Sequence, residues 1–234
     1  MIILERLRNA IIDAKFLLDR GYPKSTVIGI VAQRYSLTKP ERSLIYRALH
    51  TNHEISIIKN KLIRDVDKVR DHSLVIDGFN VLITLESLIR GEPILLCDDG
   101  VFRDISSSFR KYRITELTLT ALNLLLEIIS IIVPSEVIVV YDSPVSHSGD
   151  LAMKTRSLMK NLNIESKVIV SRTPDTTILS LGEITASSDT VILLRAKHIL
   201  DIPGIAISRF PNATIINITR LYAEAIRDFF DHSK

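Results

Sequence analysis

The sequence predicts an α/β protein with a mainly parallel sheet, preceded by a small all-helical N-terminal domain. The hydrophobic pattern keeps a helical period up to about residue 70, and from Ser73 it changes to short apolar runs that alternate with helical segments. Two of these runs, 74–76 and 137–140, are continuous, which is typical of strands buried on both faces. We therefore predict a helical domain at 1–70 and an α/β domain at 71–234.

Four helices are predicted in the first domain, at residues 2–20, 26–34, 38–50 and 53–70. The first ends at Gly21, a residue type that commonly follows a helix. Ser25 is a suitable N-cap for the second. Thr38 and Glu41 have the spacing of a capping box at the start of the third. The fourth is charged, with one apolar stripe, and connects the bundle to the sheet.

In the second domain, helices are predicted at residues 81–90, 115–132, 150–162, 175–182 and 219–231. Gly91 ends the first of them, Thr115 is positioned to cap the second, and Pro134 closes it. Strands are predicted at 73–77, 136–141, 167–171, 204–208 and 213–218, from their β-branched and aliphatic composition.

An insertion after the first strand and helix has the pattern of a β-hairpin. Asp98-Asp99-Gly100 lies between the apolar runs 94–97 and 101–102, and Asp-Gly between such runs is a strong hairpin signal. We expect this hairpin to stand on the sheet.

The position of the fourth strand has two solutions. Residues 190–194 have the better β composition, but that strand would begin at Asp189. If the strand is 183–188 instead, Asp189 follows it and residues 190–200 form a short helix. Composition alone leaves both open.

Composition places the chain among compact proteins of a reducing compartment. It is 46% hydrophobic and has one cysteine, Cys97, so it forms no internal disulfide. The first apolar stretch contains Glu5 and Arg6, so we expect no secretory signal. No apolar run reaches the length of a membrane span. We expect a cytoplasmic protein with no membrane partner.

The charge is unevenly distributed along the chain. Residues 1–72 contain 14 Lys and Arg against 8 Asp and Glu, whereas the remainder contains 16 against 19. A basic first domain suits nucleic-acid binding, although a solvated basic surface has the same composition.

Acidic residues end two of the predicted strands. Asp77 follows 74–76 and Asp142 follows Tyr141, and the carboxyl ends of parallel strands are where open α/β sheets place their ligands. Asp175 is either an N-cap or a third acid of the same group. Asn80 is either a helix cap or a residue of the same crevice. The alternative is that all of these are turn and cap residues.

Two segments have the composition of phosphate contacts. Basic residues alternate with aromatic ones near residue 110, which suits backbone contact and base stacking by Arg103, Arg110, Lys111 and Arg113. A polar loop before the helix 150–162 offers hydroxyls and amides at a helix N-terminus, from Ser146, His147 and Ser148. Ordinary solvated loops have the same features.

Longer strings resemble one largely archaeal family of uncharacterised proteins, in which a DUF434 region precedes a DUF5616 region. The strings are Arg20-Gly21-Tyr22-Pro23, Arg34-Tyr35-Ser36-Leu37, Ile76-Asp77-Gly78-Phe79-Asn80-Val81-Leu82-Ile83-Thr84, Asp98-Asp99-Gly100 with Arg103-Asp104, and Asp142-Ser143-Pro144-Val145-Ser146-His147-Ser148-Gly149. The C-terminal part, with Asp at strand ends, also resembles the PIN and NYN-like nucleases.

This resemblance implies a three-layer α/β/α PIN-like domain with acids gathered over one edge of the sheet. Carried over by motif, the acidic set is Asp77, Asp142, Asp175 and Asp189, with Asn80 beside it. The resemblance also favours the strand at 183–188. One departure is that those nucleases often carry an acid in the helix after the first long insertion, where the helix 115–132 offers only Glu116, Asn123 and Glu127; Asp98, Asp99 and Asp104 are alternatives for it.

Clustered carboxylates are costly without a cation, and oxygen-only ligands suit Mg²⁺ or Mn²⁺ better than Zn²⁺. We therefore expect Asp77, Asp142 and Asp189 to bind such an ion, with Asp175 orienting a water, in a phosphodiesterase that acts on RNA. The competing hypotheses are a non-catalytic nucleic-acid-binding module and a regulatory protein that forms a homodimer through its helical bundle.

Overall fold

The computed structural model describes residues 2–105 and 112–231. Within these residues the chain forms eleven α-helices and eight strands. The helices are α1 (Ile2–Asp19), α2 (Lys24–Arg34), α3 (Lys39–Ala48), α4 (Asn52–Lys61), α5 (Gly78–Ile89), α6 (Glu116–Ile132), α7 (Ser148–Asn161), α8 (Pro174–Leu181), α9 (Thr190–Arg195), α10 (Ile202–Ala206) and α11 (Ile218–Asp231). The strands are β1 (Ser73–Asp77), β2 (Ile94–Leu96), β3 (Phe102–Asp104), β4 (Glu136–Asp142), β5 (Ser166–Ser171), β6 (Ile184–Ala186), β7 (His198–Ile199) and β8 (Ile215–Asn217).

The main sheet is parallel and has the order β5-β4-β1-β6-β7. Successive residues of β1 point to opposite faces. Ile76 joins a core formed with α5, α6 and α7, whereas Val75 packs with Ile178 of α8 and Ile192 of α9. Helices therefore cover both faces, and the sheet lies between two helical layers.

The fourth strand of the main sheet, counted along the chain, is β6. Residues 190–195 are helical, so the choice of 183–188 is confirmed. The Asp189 side chain explains the helix, because its Oδ1 accepts hydrogen bonds from Val191 N at 2.8 Å and Ile192 N at 3.3 Å. An N-cap of this kind satisfies amides that would otherwise favour a strand partner.

The hairpin is confirmed, since β2 and β3 pair antiparallel across the Asp98-Asp99-Gly100 turn. It does not belong to the main sheet. Strand β8 pairs parallel with β2 and completes a separate sheet with the order β3-β2-β8.

The predicted strand at 204–208 is wrong, because this segment contains most of α10 followed by a 3-10 turn. The physical reason is a helix start at Asp201, whose carboxylate accepts a hydrogen bond from Gly204 N at 3.1 Å. Pro203 in the first turn fixes a helical φ and has no N–H to pair.

Helix α3 begins at its predicted capping box, but α2 begins at Lys24 directly after Pro23, so the prediction of Ser25 as its N-cap is wrong and Ser25 lies inside the helix. Thr38 with Glu41 and Thr51 with Glu54 form capping boxes at α3 and α4. Helix α4, predicted to reach residue 70, ends at Lys61 because the chain then reaches the main sheet, where Ile63 N donates to Ile199 O over 2.8 Å.

The helical bundle and the hairpin share one apolar core. Buried residues of α1, α2 and α3 pack with Leu95 and Cys97 of the hairpin segment and with Ile218 of α11. Buried apolar contacts therefore cross the predicted boundary at residue 70. No helix among the described residues has the length and apolar character needed to cross a membrane.

Candidate functional site

Four predicted acids line one pocket of about 270 Å³ at the carboxyl edge of the main sheet. Asp77 ends β1, Asp142 ends β4, Asp189 follows β6, and Asp175 lies in the first turn of α8. The chain adds β4 and β5 on one side of β1 and then returns to place β6 and β7 on the other. This reversal of strand order opens a crevice at the carboxyl ends, where α/β sheets bind ligands. We call this crevice the acidic pocket.

Asp77 and Asp142 are half-buried, whereas Asp175 and Asp189 are exposed, and Asp77 is the one whose contacts perturb it most. Its Oδ2 accepts a hydrogen bond from Ser187 Oγ at 2.8 Å, and its carboxylate also accepts one from the backbone N–H of Asn80. Burial nevertheless raises the pKa of Asp77 to about 7, and the negative charges of Asp189 and Asp175 act in the same direction. A carboxylate with this pKa stands to gain from a bound cation.

The turn after Asp77 requires glycine. A Cβ at Gly78 would lie 2.4 Å from a ring carbon of Tyr141 and 3.0 Å from the carbonyl oxygen of Val140. Gly78 thus lets α5 begin directly after β1, close against β4.

Asn80 connects Asp77 to the loop that carries Asp189. Its Oδ1 accepts hydrogen bonds from Ser188 N at 3.1 Å and from Ser188 Oγ. Asp189 uses its Oδ1 to cap α9. These contacts fix the backbone of residues 187–190 on the rim of the acidic pocket.

Apolar side chains form the opposite wall of the acidic pocket. They are Phe79, Ile83, Tyr112, Val145 and Pro174. Tyr112 packs edge-on against Phe79, with ring centroids 5.3 Å apart, and its hydroxyl donates to Glu86 Oε1 over 2.6 Å. Sequence patterns indicated Tyr112 only as part of a basic and aromatic segment, and they gave no reason to place the other four residues at a site.

A second feature that the sequence left open is Asp104, which also lines the acidic pocket. Arg47 of α3 donates to Asp104 Oδ1 over 2.9 Å and lines the same pocket. The place of Arg47 at the site depends on how α3 packs against the hairpin.

The polar loop before α7 contributes Val145 to the acidic pocket, and its three predicted contact residues are not part of the lining. Ser146 is exposed, and Ser148 is buried with its hydroxyl 3.4 Å from the carbonyl oxygen of Ser143. The exposed His147 has a left-handed backbone, with φ of 64°, and its Nδ1 lies 3.0 Å from Asp150 Oδ2.

The four basic residues predicted to contact phosphate differ in their positions. Arg110 and Lys111 lie outside the described residues, and Arg113 is exposed. Arg103 is 2% exposed and binds Asp99 through two hydrogen bonds, of 2.9 and 2.6 Å. Its Nε also donates to Ser188 O over 2.8 Å. Its guanidinium is therefore almost fully buried and bound by internal partners, although Arg103 also lines a second cavity beside the acidic pocket. A contact between Arg103 and a nucleic acid stays a prediction.

Asp98 and Asp99 form a separate, buried network instead of joining the acidic pocket. His50 Nδ1 lies 2.7 Å from Asp98 Oδ1, and His50 Nε2 lies 3.0 Å from Thr190 Oγ1. Burial opposes ionisation of Asp99, but the charge of Arg103 and its hydrogen bonds outweigh it and hold the pKa of Asp99 below its usual value. Although His50, Asp98 and Asp99 are close enough to hold a metal ion, Arg103 already neutralises Asp99.

The acids of the acidic pocket are not neutralised in the way that Asp99 is. Within residues 2–105 and 112–231, none of Asp77, Asp142, Asp175 and Asp189 forms an ion pair with a Lys, Arg or His side chain. The four acids line one pocket, but no three of them have ligand atoms within 4.8 Å of one another, a spacing that His50, Asp98 and Asp99 do reach among the described residues. Carboxylates that share a pocket without an ion pair are costly to ionise together.

Comparisons with known proteins agree with the motif analysis. A family model described as a domain of unknown function, DUF5616, matches residues 66–205, and one described as a protein of unknown function, DUF434, matches residues 6–61. The uncharacterized protein MJ0935 of Methanocaldococcus jannaschii is 40% identical over 197 residues, which cover 83% of this chain and 93% of that protein. No solved structure matches.

Proposed function

This chain belongs to the archaeal family in which a DUF434 region precedes a DUF5616 domain, and from that premise we propose that it is a metal-dependent phosphodiesterase acting on RNA. The observation that carries the proposal is the acidic pocket, which is lined by four carboxylates from separate segments that form no ion pair with a described Lys, Arg or His side chain. Binding one ion would require these side chains to move closer together than they lie now. We also propose that the α/β domain is PIN-like, because its parallel sheet is covered by helices on both faces and presents acids at the carboxyl edge.

The donor set fits a hard divalent ion. All four residues offer carboxylate oxygens, which suit Mg²⁺ or Mn²⁺. We assign Asp77, Asp142 and Asp189 as the residues that hold the ion. Such an ion supplies an activated water and stabilises charge on a phosphodiester.

The remaining residues have roles that follow from their positions. Asp175 is exposed at the start of α8, and we propose that it orients the attacking water. Asn80 and Ser188 hold the loop of Asp189 in place. The apolar wall around Phe79 offers a dry surface for a sugar or base.

Cleavage of a labelled, mixed-sequence RNA in Mn²⁺ tests the reaction. Wild type should cut it, EDTA should stop the reaction, and Asp77→Asn should lower the rate at least about 100-fold, or ~2.7 kcal/mol of transition-state stabilisation. Asp150→Asn is the matched control, because Asp150 is an exposed acid outside the pocket, and it should leave the rate unchanged.

A second candidate is a non-catalytic nucleic-acid-binding or regulatory protein with the same fold. It is favoured by the structural use of two site residues, since Asp189 caps α9 and Asn80 holds Ser188. This candidate replaces the first if wild type binds RNA equally well in Mn²⁺ and in EDTA and cuts it in neither.

A further inference from the structure

A second cavity, of about 290 Å³, adjoins the acidic pocket and is built mainly by the helical bundle and α9. Arg47, Asn80 and Asp189 line both cavities, so the two form one continuous groove. The second cavity also contains Lys24 and Tyr46, which come from helices of the first domain. We call it the basic cavity.

Lys24 is in an unfavourable position unless an anion binds nearby. It is the first residue of α2, where the positive end of the helix dipole repels a cation, and this helix has no side-chain N-cap bond. Burial lowers the pKa of Lys24, and the charge of Arg103 lowers it further, whereas the charges of Glu54, Asp98 and Asp99 act in the opposite direction without cancelling the effect. Among the described residues no carboxylate forms an ion pair with its ammonium group, which lies 5.1 Å from the centroid of the Tyr46 ring.

The acids near Lys24 are already used by the fold. Glu54 Oε2 accepts hydrogen bonds from Thr51 N at 2.8 Å and from Thr51 Oγ1 at 3.0 Å in its capping box. Asp189 Oδ1 caps α9. An anionic ligand would therefore give Lys24 the partner that these acids do not supply.

Two further groups suit a nucleotide strand. Tyr46 is 51% exposed, and the ammonium group of Lys24 lies over its ring, so an aromatic face lies beside a cation in the cavity. The hydroxyl of Thr190 also lines the basic cavity, and His50 holds it in place.

We propose that the basic cavity binds the backbone phosphate of a single-stranded RNA next to the bond to be cleaved, and that Tyr46 stacks on an adjacent base. This inference rests on the proposed function, because it places the strand along the groove that leads to the acidic pocket. Stacking on an aromatic residue beside basic groups is the general way in which proteins hold single strands. The N-terminal helices would then supply substrate binding to a site whose acids come from the second domain.

Fluorescence anisotropy with a labelled ten-nucleotide RNA tests this inference on the full-length protein. EDTA is present throughout, so neither cleavage nor metal-bridged phosphate contributes to binding. Lys24→Ala should weaken binding about fivefold and reduce the slope of log K against log salt by about one, as expected for one lost phosphate contact. Lys59→Ala is the matched control, because Lys59 is an exposed lysine of the same domain that lines neither cavity, and it should change affinity less than about twofold.

Tyrosine variants test the stacking. Tyr46→Ala should weaken binding about tenfold, whereas Tyr46→Phe keeps the ring and should stay within about twofold of wild type. Equal losses for Lys24→Ala and Lys59→Ala, or equal losses for the two Tyr46 variants, would overturn the inference.

The two proposals fail in different ways. If wild type cuts RNA in Mn²⁺ but Lys24→Ala and Tyr46→Ala bind the RNA normally in EDTA, the groove proposal is wrong and the phosphodiesterase stands. If nothing is cut but both variants lose affinity as described, the basic cavity stands as a nucleic-acid site. Mn²⁺ affinity of Lys24→Ala, measured by calorimetry, should equal that of wild type, which separates its effect from damage to the acidic pocket.

Discussion

The loop at residues 187–190 contacts two groups of aspartates that are neutralised in opposite ways. On one side, Arg103 binds both Asp99 and the carbonyl oxygen of Ser188, and His50 lies between Asp98 and Thr190. On the other side, Ser187 donates to Asp77, and no described cationic side chain pairs with Asp77. The first group is a completed internal network, whereas the second offers only hydroxyl and amide donors.

The difference has a thermodynamic meaning. A buried acid with a bound guanidinium is stable as an ion, so the pKa of Asp99 lies below its usual value despite complete burial. A buried acid with only neutral donors resists ionisation, so the pKa of Asp77 rises to about 7. The first group therefore stabilises the fold. In the second group, a positively charged ligand would favour the ionised form of Asp77.

The largest expected effect comes from breaking the first group. Arg103→Met should destabilise the protein by about 3–5 kcal/mol, because it leaves the buried charge of Asp99 without its partner. Urea unfolding measures this change. Arg113→Met, at an exposed arginine, is the control and should change stability by less than about 0.5 kcal/mol.

A double variant sharpens the result. Asp99→Asn together with Arg103→Met should lose less stability than Arg103→Met alone, because no unpaired carboxylate remains. A larger loss in the double variant would show that the stability comes from other contacts of these residues.

Sequence patterns predicted the residues of the second group of aspartates better than those of the first. Asp at the ends of apolar runs predicted related positions for Asp77 and Asp142, because parallel strands end at a common edge, and the resemblance extended the set to Asp175 and Asp189. Arg103 is buried between Asp99, four residues earlier, and the carbonyl oxygen of Ser188, far along the chain, and a basic residue in a hairpin gives no local sign of burial. Pairing partners distant along the chain are the information that a local pattern lacks.

Two segments show where strand composition misleads: residues 190–194 were predicted correctly against their composition, and residues 204–208 were not. Residues 190–194 have strand composition but are helical because Asp189 caps them, and the resemblance, not propensity, predicted this correctly. For residues 204–208 the local signal was present, since Asp201 and Pro203 mark a helix start, but the apolar composition was given more weight. That β8 pairs with the hairpin instead of the main sheet is a tertiary outcome with no local signal.

The next largest effect is the stabilisation expected when Mn²⁺ binds to the second group of aspartates. Mn²⁺ at about 100 times its dissociation constant should stabilise wild type by about 2.7 kcal/mol, which raises Tm by roughly 2–4 °C per kcal/mol. Asp77→Asn should lose most of this shift, and Asp150→Asn should keep it. Scanning calorimetry with and without Mn²⁺ gives the answer, and an equal shift in all three proteins would place the ion elsewhere.

A smaller effect is the pH dependence of the metal-free protein. The folded pKa of Asp77 is about 7, above the value of 3.8 for an ordinary Asp, so the folded state binds more protons than the unfolded state between these values. Stability contributed by Asp77 is therefore complete at low pH and is lost as pH rises towards 7. Between pH 5.5 and 6.5 the loss should be on the order of 1 kcal/mol.

The matched measurement is urea unfolding in EDTA at both pH values. Asp77→Asn carries no titrating group at this position, so the difference in stability between it and wild type should change by that amount with pH. A difference that stays constant would mean that Asp77 is already ionised at pH 5.5 and that the two groups of aspartates are more alike than their contacts indicate.

The smallest expected effect tests the contribution of the Ser187 hydroxyl to the acidic pocket apart from that of a bound cation. Ser187→Ala removes the hydrogen bond to Asp77 Oδ2, which favours the ionised carboxylate, so the pKa of Asp77 should rise further. A bond of this kind is worth about 0.5–1.5 kcal/mol, so apparent Mn²⁺ affinity at pH 7 should fall about twofold to sevenfold, because protons compete better for the site. At pH 8.5, where Asp77 is ionised in both proteins, most of this difference should disappear. Ser180→Ala, at an exposed hydroxyl of α8 that donates to Thr177 O, serves as the control at both pH values. A deficit for Ser187→Ala that persists at pH 8.5 would assign Ser187 to the geometry of the loop, and the contrast between the two groups would then rest on the arginine alone.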